Sequence, residues 1–113
     1  MEKRTPDDIA TYLDDLGGSV LVAAWDRKEL EYTFHRLALA SPSAELWRVR
    51  RDLVVKTKRG RVFGVIPGML CAFGLVDLVV WTRDAPYPDS RLAEEIYSVR
   101  TRIARSVLLD LDS

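Results

Sequence analysis

The residues whose types and spacing could do chemistry are mostly cations. Arg48, Arg50, Arg51, Lys56, Lys58, Arg59 and Arg61 fall in one 14-residue stretch whose only carboxylate is Asp52, so residues 48–61 carry +6. The whole 113-residue chain has a formal net charge of zero, so the remainder carries −6. A cluster of this kind suits a phosphate backbone, because each cation that neutralises a phosphate releases counterions. It equally suits an acidic protein surface, since Arg supplies 13 of the 17 cations and its planar fork pairs with carboxylates. A third reading is structural: exposed hairpins carry charge to keep sheet edges from pairing with other chains.

Catalytic material is sparse by comparison. His35 is the sole histidine and falls on an expected helix beside Arg36, with no nucleophile elbow or family-specific cysteine motif to accompany it. Cys71 is the only cysteine, which excludes an intramolecular disulfide and a four-ligand Cys/His zinc centre. Its neighbours, MLCAFG, form an apolar setting that keeps a thiol inert. The acidic pairs Asp7-Asp8, Asp14-Asp15 and Glu94-Glu95 point apart on helices and do not converge on one atom. Asp77 interrupts an apolar strand, so its carboxylate needs a partner or an edge. An arginine is the expected partner, and magnesium held with Glu45 or Asp52 is the alternative. The glycines form neither GxxxxGK[ST] nor GxGxxG. The expectation is a non-enzyme without cofactor or metal.

The elements that must position the cations are read from periodicity. Thr5, Pro6, Asp7 and Asp8 supply an N-cap hydroxyl, an N1 proline and dipole-matching carboxylates. Ile9, Tyr12, Leu13 and Leu16 then form a helical stripe ended by Gly17-Gly18. Residues 19–25, SVLVAAW, read as a buried strand. Asp26 and Glu29 have capping-box spacing before a helix with Leu30, Phe34, Leu37 and Leu39 or Ala38 inside, ending before Pro42; a strand through EYTFHRLAL is the alternative. Residues 42–52 fit a helix, with a strand as the competing reading. Residues 53–66 form a hairpin about Lys58-Arg59-Gly60. With Gly60 left-handed in a three-residue loop, Val55 faces Phe63; a two-residue loop puts Lys56 opposite Phe63 instead. Residues 75–82 read as a further buried strand. After the DAPYPD linker, Leu92, Ile96, Val99, Ile103 and Val107 predict one long helix over residues 90–109.

Helix, strand, helix, helix and a hairpin with a basic tip is an order that resembles a winged-helix domain over residues 5–66. That resemblance implies that Glu45 to Arg51 enter the major groove and that Lys58 to Arg61 form the wing. The candidate recognition helix departs from it in offering no Asn, Gln or Ser for base readout.

The resulting expectation is a single α+β domain over residues 1–113. A small, mainly antiparallel sheet from residues 19–25, 53–66 and 75–82, with a central basic hairpin, is packed by N- and C-terminal helices. Its expected role is regulatory or accessory, contacting nucleic acid (DNA-binding) through Arg48, Arg50, Arg51, Lys56, Lys58, Arg59 and Arg61. The alternative is a protein-interaction module of inhibitor, immunity or adaptor type using the same arginines, with Trp25, Trp47 and Trp81 as anchors or core. A homodimer through the apolar stripe of residues 90–109 is also expected. The run Val62 to Val76 has 15 uncharged residues, short of the roughly 18 to 20 needed to span a bilayer. No membrane association and a cytoplasmic location follow as expectations.

Overall fold

The computed structural model describes residues 1–41, 54–57, 59–69, 74–97 and 105–111. The expected helix or strand over 42–52, Trp47, Cys71 and four of the seven clustered cations, Arg48, Arg50, Arg51 and Lys58, lie outside the described residues.

The chain opens on β1 (Glu2–Arg4), a strand too short and too charged to show in the hydropathy pattern. Helix α1 (Pro6–Thr11) starts as its sequence dictates: the Thr5 hydroxyl accepts the Asp8 N–H at 3.2 Å, and the Asp8 carboxylate accepts the Thr5 N–H at 3.1 Å. It continues through a π-helical turn, Tyr12–Leu16, which closes at Gly17 with φ of +65°. The wider turn rotates Leu16 off the stripe, so Ile9 and Leu13 are buried whereas Leu16 is 72% exposed. Strand β2 (Ser19–Ala23) follows.

Helix α2 (Arg27–Ala40) is capped by Asp26, whose carboxylate accepts the Glu29 N–H at 2.8 Å, and it ends before Pro42. Leu30, Phe34 and Leu37 are buried and Leu39 is exposed, so the stripe is narrower than its letters suggested. Strands β3 (Val54–Lys56) and β4 (Arg61–Val65) form the expected hairpin, followed by β5 (Leu78–Trp81), α3 (Ser90–Tyr97) and β6 (Arg105–Leu109).

The fold is α+β, with a six-stranded mixed sheet in the order β1-β6-β5-β2-β4-β3. Among the described residues four of its five pairings are parallel and only β3 with β4 is antiparallel, which corrects the expected, mainly antiparallel sheet. The physical reason is visible in the strands themselves. Val20 to Ala23 and Leu78 to Trp81 are buried on both faces, as parallel strands under helices are. The winged-helix resemblance accordingly stops at element order, because β2 pairs in parallel with both β4 and β5 at the sheet centre.

The two faces carry separate cores. Leu30, Phe34 and Leu37 of α2 and Ile9 and Leu13 around α1 pack on Val20, Val22, Val80 and Val107. Leu92 and Ile96 of α3 pack on the opposite face, over Leu21, Val79 and Trp81. The C-terminal long helix is also corrected. Residues 105–109 form a strand between β5 and β1, in which Val107 and Leu109 are buried and Arg105 is exposed. Leu92, Ile96 and Val107, the described members of the stripe expected to form a homodimer, are buried within the chain. Val99 and Ile103 lie outside the described residues.

Candidate functional site

Three places gather functional groups: the basic hairpin and the two ends of the parallel strands. The hairpin register differs from both sequence readings. Val55 pairs with Val62, Val54 with Phe63 and Lys56 with Arg61, leaving a four-residue connection from Thr57 to Gly60. Neighbouring structure sets this register. Gly60 passes so close to the N-terminal loop that a Cβ there would sit 2.4 Å from the Gly18 carbonyl oxygen, and Arg61 donates its N–H to that oxygen at 3.3 Å. Gly60 is therefore required for close approach rather than for a left-handed turn. The Thr57 hydroxyl accepts the Gly60 N–H at 2.8 Å, and the Thr57 N–H returns to the Gly60 carbonyl at 3.0 Å.

Of the seven clustered cations, Lys56, Arg59 and Arg61 are described and all three are exposed. Lys56 and Arg61 are directly opposite on one face of the ladder, and Arg59 stands at the tip. Among the described residues none of the three meets a carboxylate, whereas Arg4, Arg27, Arg83 and Arg105 all do.

At the carboxyl ends of the strands, β2 leaves toward α2 on one face and β5 toward α3 on the other. Right-handed crossovers running in opposite directions require this divergence. Such a switch point is where open α/β sheets usually bind ligands. Here Glu29 cross-links the two strand ends, and a smaller cavity of about 320 Å³ lies beside them, lined by Lys3, Thr82, Arg83 and Leu108 among others. The capping-box spacing predicted a role at the helix start, but the carboxylate reaches further. One oxygen accepts the Trp25 N–H at 3.1 Å and the Thr82 hydroxyl, and the other accepts Arg83 Nε at 2.6 Å. The Arg83 guanidinium lies 5.6 Å from the Trp25 ring centre. Trp25, Trp81 and Tyr87 meet edge to face, and Tyr97 stacks on Trp81 at 5.1 Å. Trp81 is thus core rather than a surface anchor, and Trp25 is half-buried.

At the amino ends lies a cavity of about 750 Å³ between α1, its π turn and the β1-β6-β5 side of the sheet. Ile9, Leu78 and Val107 are its buried apolar lining, and Glu2, Tyr12, Asp77 and Arg105 supply polar groups. Asp77 does not interrupt β5 but precedes it, exposed. Its carboxylate accepts the Ser19 N–H at 2.9 Å and its own N–H donates to the Ser19 carbonyl at 2.8 Å. A backbone amide thus takes the hydrogen-bonding role expected of an arginine. Glu45 and Asp52, the alternative partners, lie outside the described residues. The Tyr12 ring covers Gly18, where a Cβ would sit 2.4 Å from the ring. Burial, then the Asp77 carboxylate, push the Tyr12 phenol above its ordinary 10.0, and Arg105 opposes them.

His35 is exposed on α2. Among the described residues no group of His, Cys, Asp and Glu is arranged to hold a metal ion, and no helix is long and apolar enough to cross a membrane. No protein-family model, curated protein or solved structure matches the chain. Sequence reasoning assigned Tyr12 to a core stripe and Arg105 to a helix, and so missed the cavity they share. The available signal was the phenol itself, since a tyrosine on an apolar face needs somewhere for its hydroxyl.

Proposed function

We propose that this protein is a non-catalytic regulatory or accessory protein that contacts nucleic acid through residues 48–61. One observation carries the reading. Lys56 and Arg61 stand directly opposite each other on one face of the hairpin, with Arg59 exposed at its tip and no carboxylate beside any of them among the described residues. Like charges directly opposite on a ladder repel, so the pair is held at a cost to the fold. A phosphate group between them relieves that repulsion and releases counterions. The zero net charge keeps the affinity local and strongly dependent on salt.

The test is fluorescence anisotropy with labelled duplex and single-stranded oligonucleotides across a salt series. Replacing Lys56, Arg59 and Arg61 together by Ala is expected to weaken binding at low salt and to flatten the log–log salt slope by about 2 to 3 units. Absence of binding to either form at low salt, or an unchanged slope in the triple variant, sinks the reading. Binding of poly-glutamate through the same three cations, without nucleic acid binding, transfers them to an acidic protein partner.

A further inference from the structure

The cavity at the amino ends of the strands is independent of the basic hairpin and has a chemistry of its own. Its volume of about 750 Å³ is that of a small-molecule pocket rather than of a packing gap, such pockets running from about 300 to 1,000 Å³. Ile9 and Val107 are almost wholly buried and Leu78 is 7% exposed, which gives it an apolar floor. Leu16, turned outward by the π turn, supplies an apolar wall that is open to water.

Charge decides what kind of ligand fits. The two guanidiniums at the cavity, Arg4 and Arg105, are both engaged by a single carboxylate, Glu2, with Arg105 Nη2 at 3.3 Å. Asp8 and Asp77 meet no cation among the described residues, and their carboxylates accept the Thr5 and Ser19 amides. The described lining holds Glu2, Asp8 and Asp77 against Arg4 and Arg105, and so is negative by one charge. An anionic ligand would have to take a guanidinium away from Glu2, whereas a cation meets Asp77 without displacing an ion pair. The Tyr12 ring beside it offers a π face, and its hydroxyl an acceptor.

We propose that this cavity binds a small organic ammonium ion, with its apolar body on Ile9, Leu78 and Val107 and its positive head at Asp77 and Tyr12. Neither the carboxyl-end crevice nor the hairpin takes part. The experiment is a two-dimensional NMR titration of the full chain with benzylammonium, and separately with benzoate as a probe of similar shape and opposite charge.

Benzylammonium is expected to shift the amides of Tyr12, Leu78 and Arg105 in a saturable manner, and benzoate is not. Asp77→Asn keeps an oxygen for the Ser19 amide and is expected to weaken benzylammonium binding about tenfold. Leu16→Trp fills the cavity mouth from an exposed position that the fold does not depend on, and is expected to weaken binding as well. Equal binding of benzoate, no saturable shift with benzylammonium, or an affinity untouched by Leu16→Trp overturns the proposal. If Asp77→Asn disturbs the strand ends, the Leu16→Trp result stands alone as the deciding arm.

Discussion

The carboxyl and amino ends of the parallel strands are built from similar residue types and put to opposite use. At the carboxyl ends, Glu29 spends both oxygens on Trp25, Thr82 and Arg83, joining the start of α2 to the end of β5. At the amino ends, Asp77 uses its carboxylate on one amide of Ser19, Glu2 holds both nearby arginines, and a cavity remains. The basic hairpin is also at the amino ends: Gly17 lies so close to the tip that a Cβ on it would sit 2.9 Å from the Arg59 carbonyl oxygen. A switch point does not by itself make a binding site. Where Glu29 joins the strand ends, the cavity beside them is about 320 Å³, and the larger one, about 750 Å³, lies at the opposite end.

Substitutions at either end report how differently the two are held. The largest effect is expected from Gly60→Ala, because the new Cβ meets the Gly18 backbone rather than a movable side chain. A loss of about 3 kcal/mol is expected by urea denaturation, as for a strongly overpacked site. Next is Glu29→Ala, which leaves the Trp25 amide and Arg83 without the carboxylate and the Thr82 hydroxyl with the Ala23 carbonyl alone. About 2 kcal/mol is expected, with faster hydrogen exchange at the Trp25 amide. A cost indistinguishable from that of an exposed substitution would show that the carboxyl end is not tied.

Thr5→Ala removes the cap of α1, the wall of the cavity, and should lower the urea midpoint by an amount equivalent to about 1 kcal/mol. The smallest effect is one of pH. The folded state holds the Tyr12 proton more tightly than the unfolded chain does, so its contribution is complete below pH 10 and lost as the pH rises through the raised phenol value. Stability is therefore expected to fall more steeply above pH 10 in the native protein than in Tyr12→Phe, as followed by denaturation at a series of alkaline pH values.

Much of the chain was legible locally. Thr5-Pro6-Asp7-Asp8 and Asp26 announced two helix starts, and Gly17 and Pro42 marked where those helices end, because capping is decided by groups within four residues of one another. The apolar runs within 19–25 and 75–82 were legible as buried strands, although the second strand begins only at Leu78, after the exposed Leu75 and Asp77, and burial on both faces was a sign of parallel pairing. One element was misread and one missed, for one reason. Residues 105–109 continue a helical spacing from Leu92, and Glu2–Arg4 carry no apolar signal at all, yet each pairs in the sheet with partners about 100 positions away. No periodicity measured along the chain reports such a pairing.

Of the candidate sites, the cations of the hairpin were plain in the composition of residues 48–61, and the hairpin itself in the β-rich runs on either side of it. The cavity was not, since Glu2, Tyr12, Asp77 and Arg105 are brought together only by the order of the strands. The helix ends, the buried strands and the local concentration of positive charge all follow from neighbours along the chain. Strand direction, the hairpin register, and the amides and arginines that each carboxylate engages came only with the folded chain. Those depend on backbone groups far apart in sequence finding their partners once the apolar faces are covered.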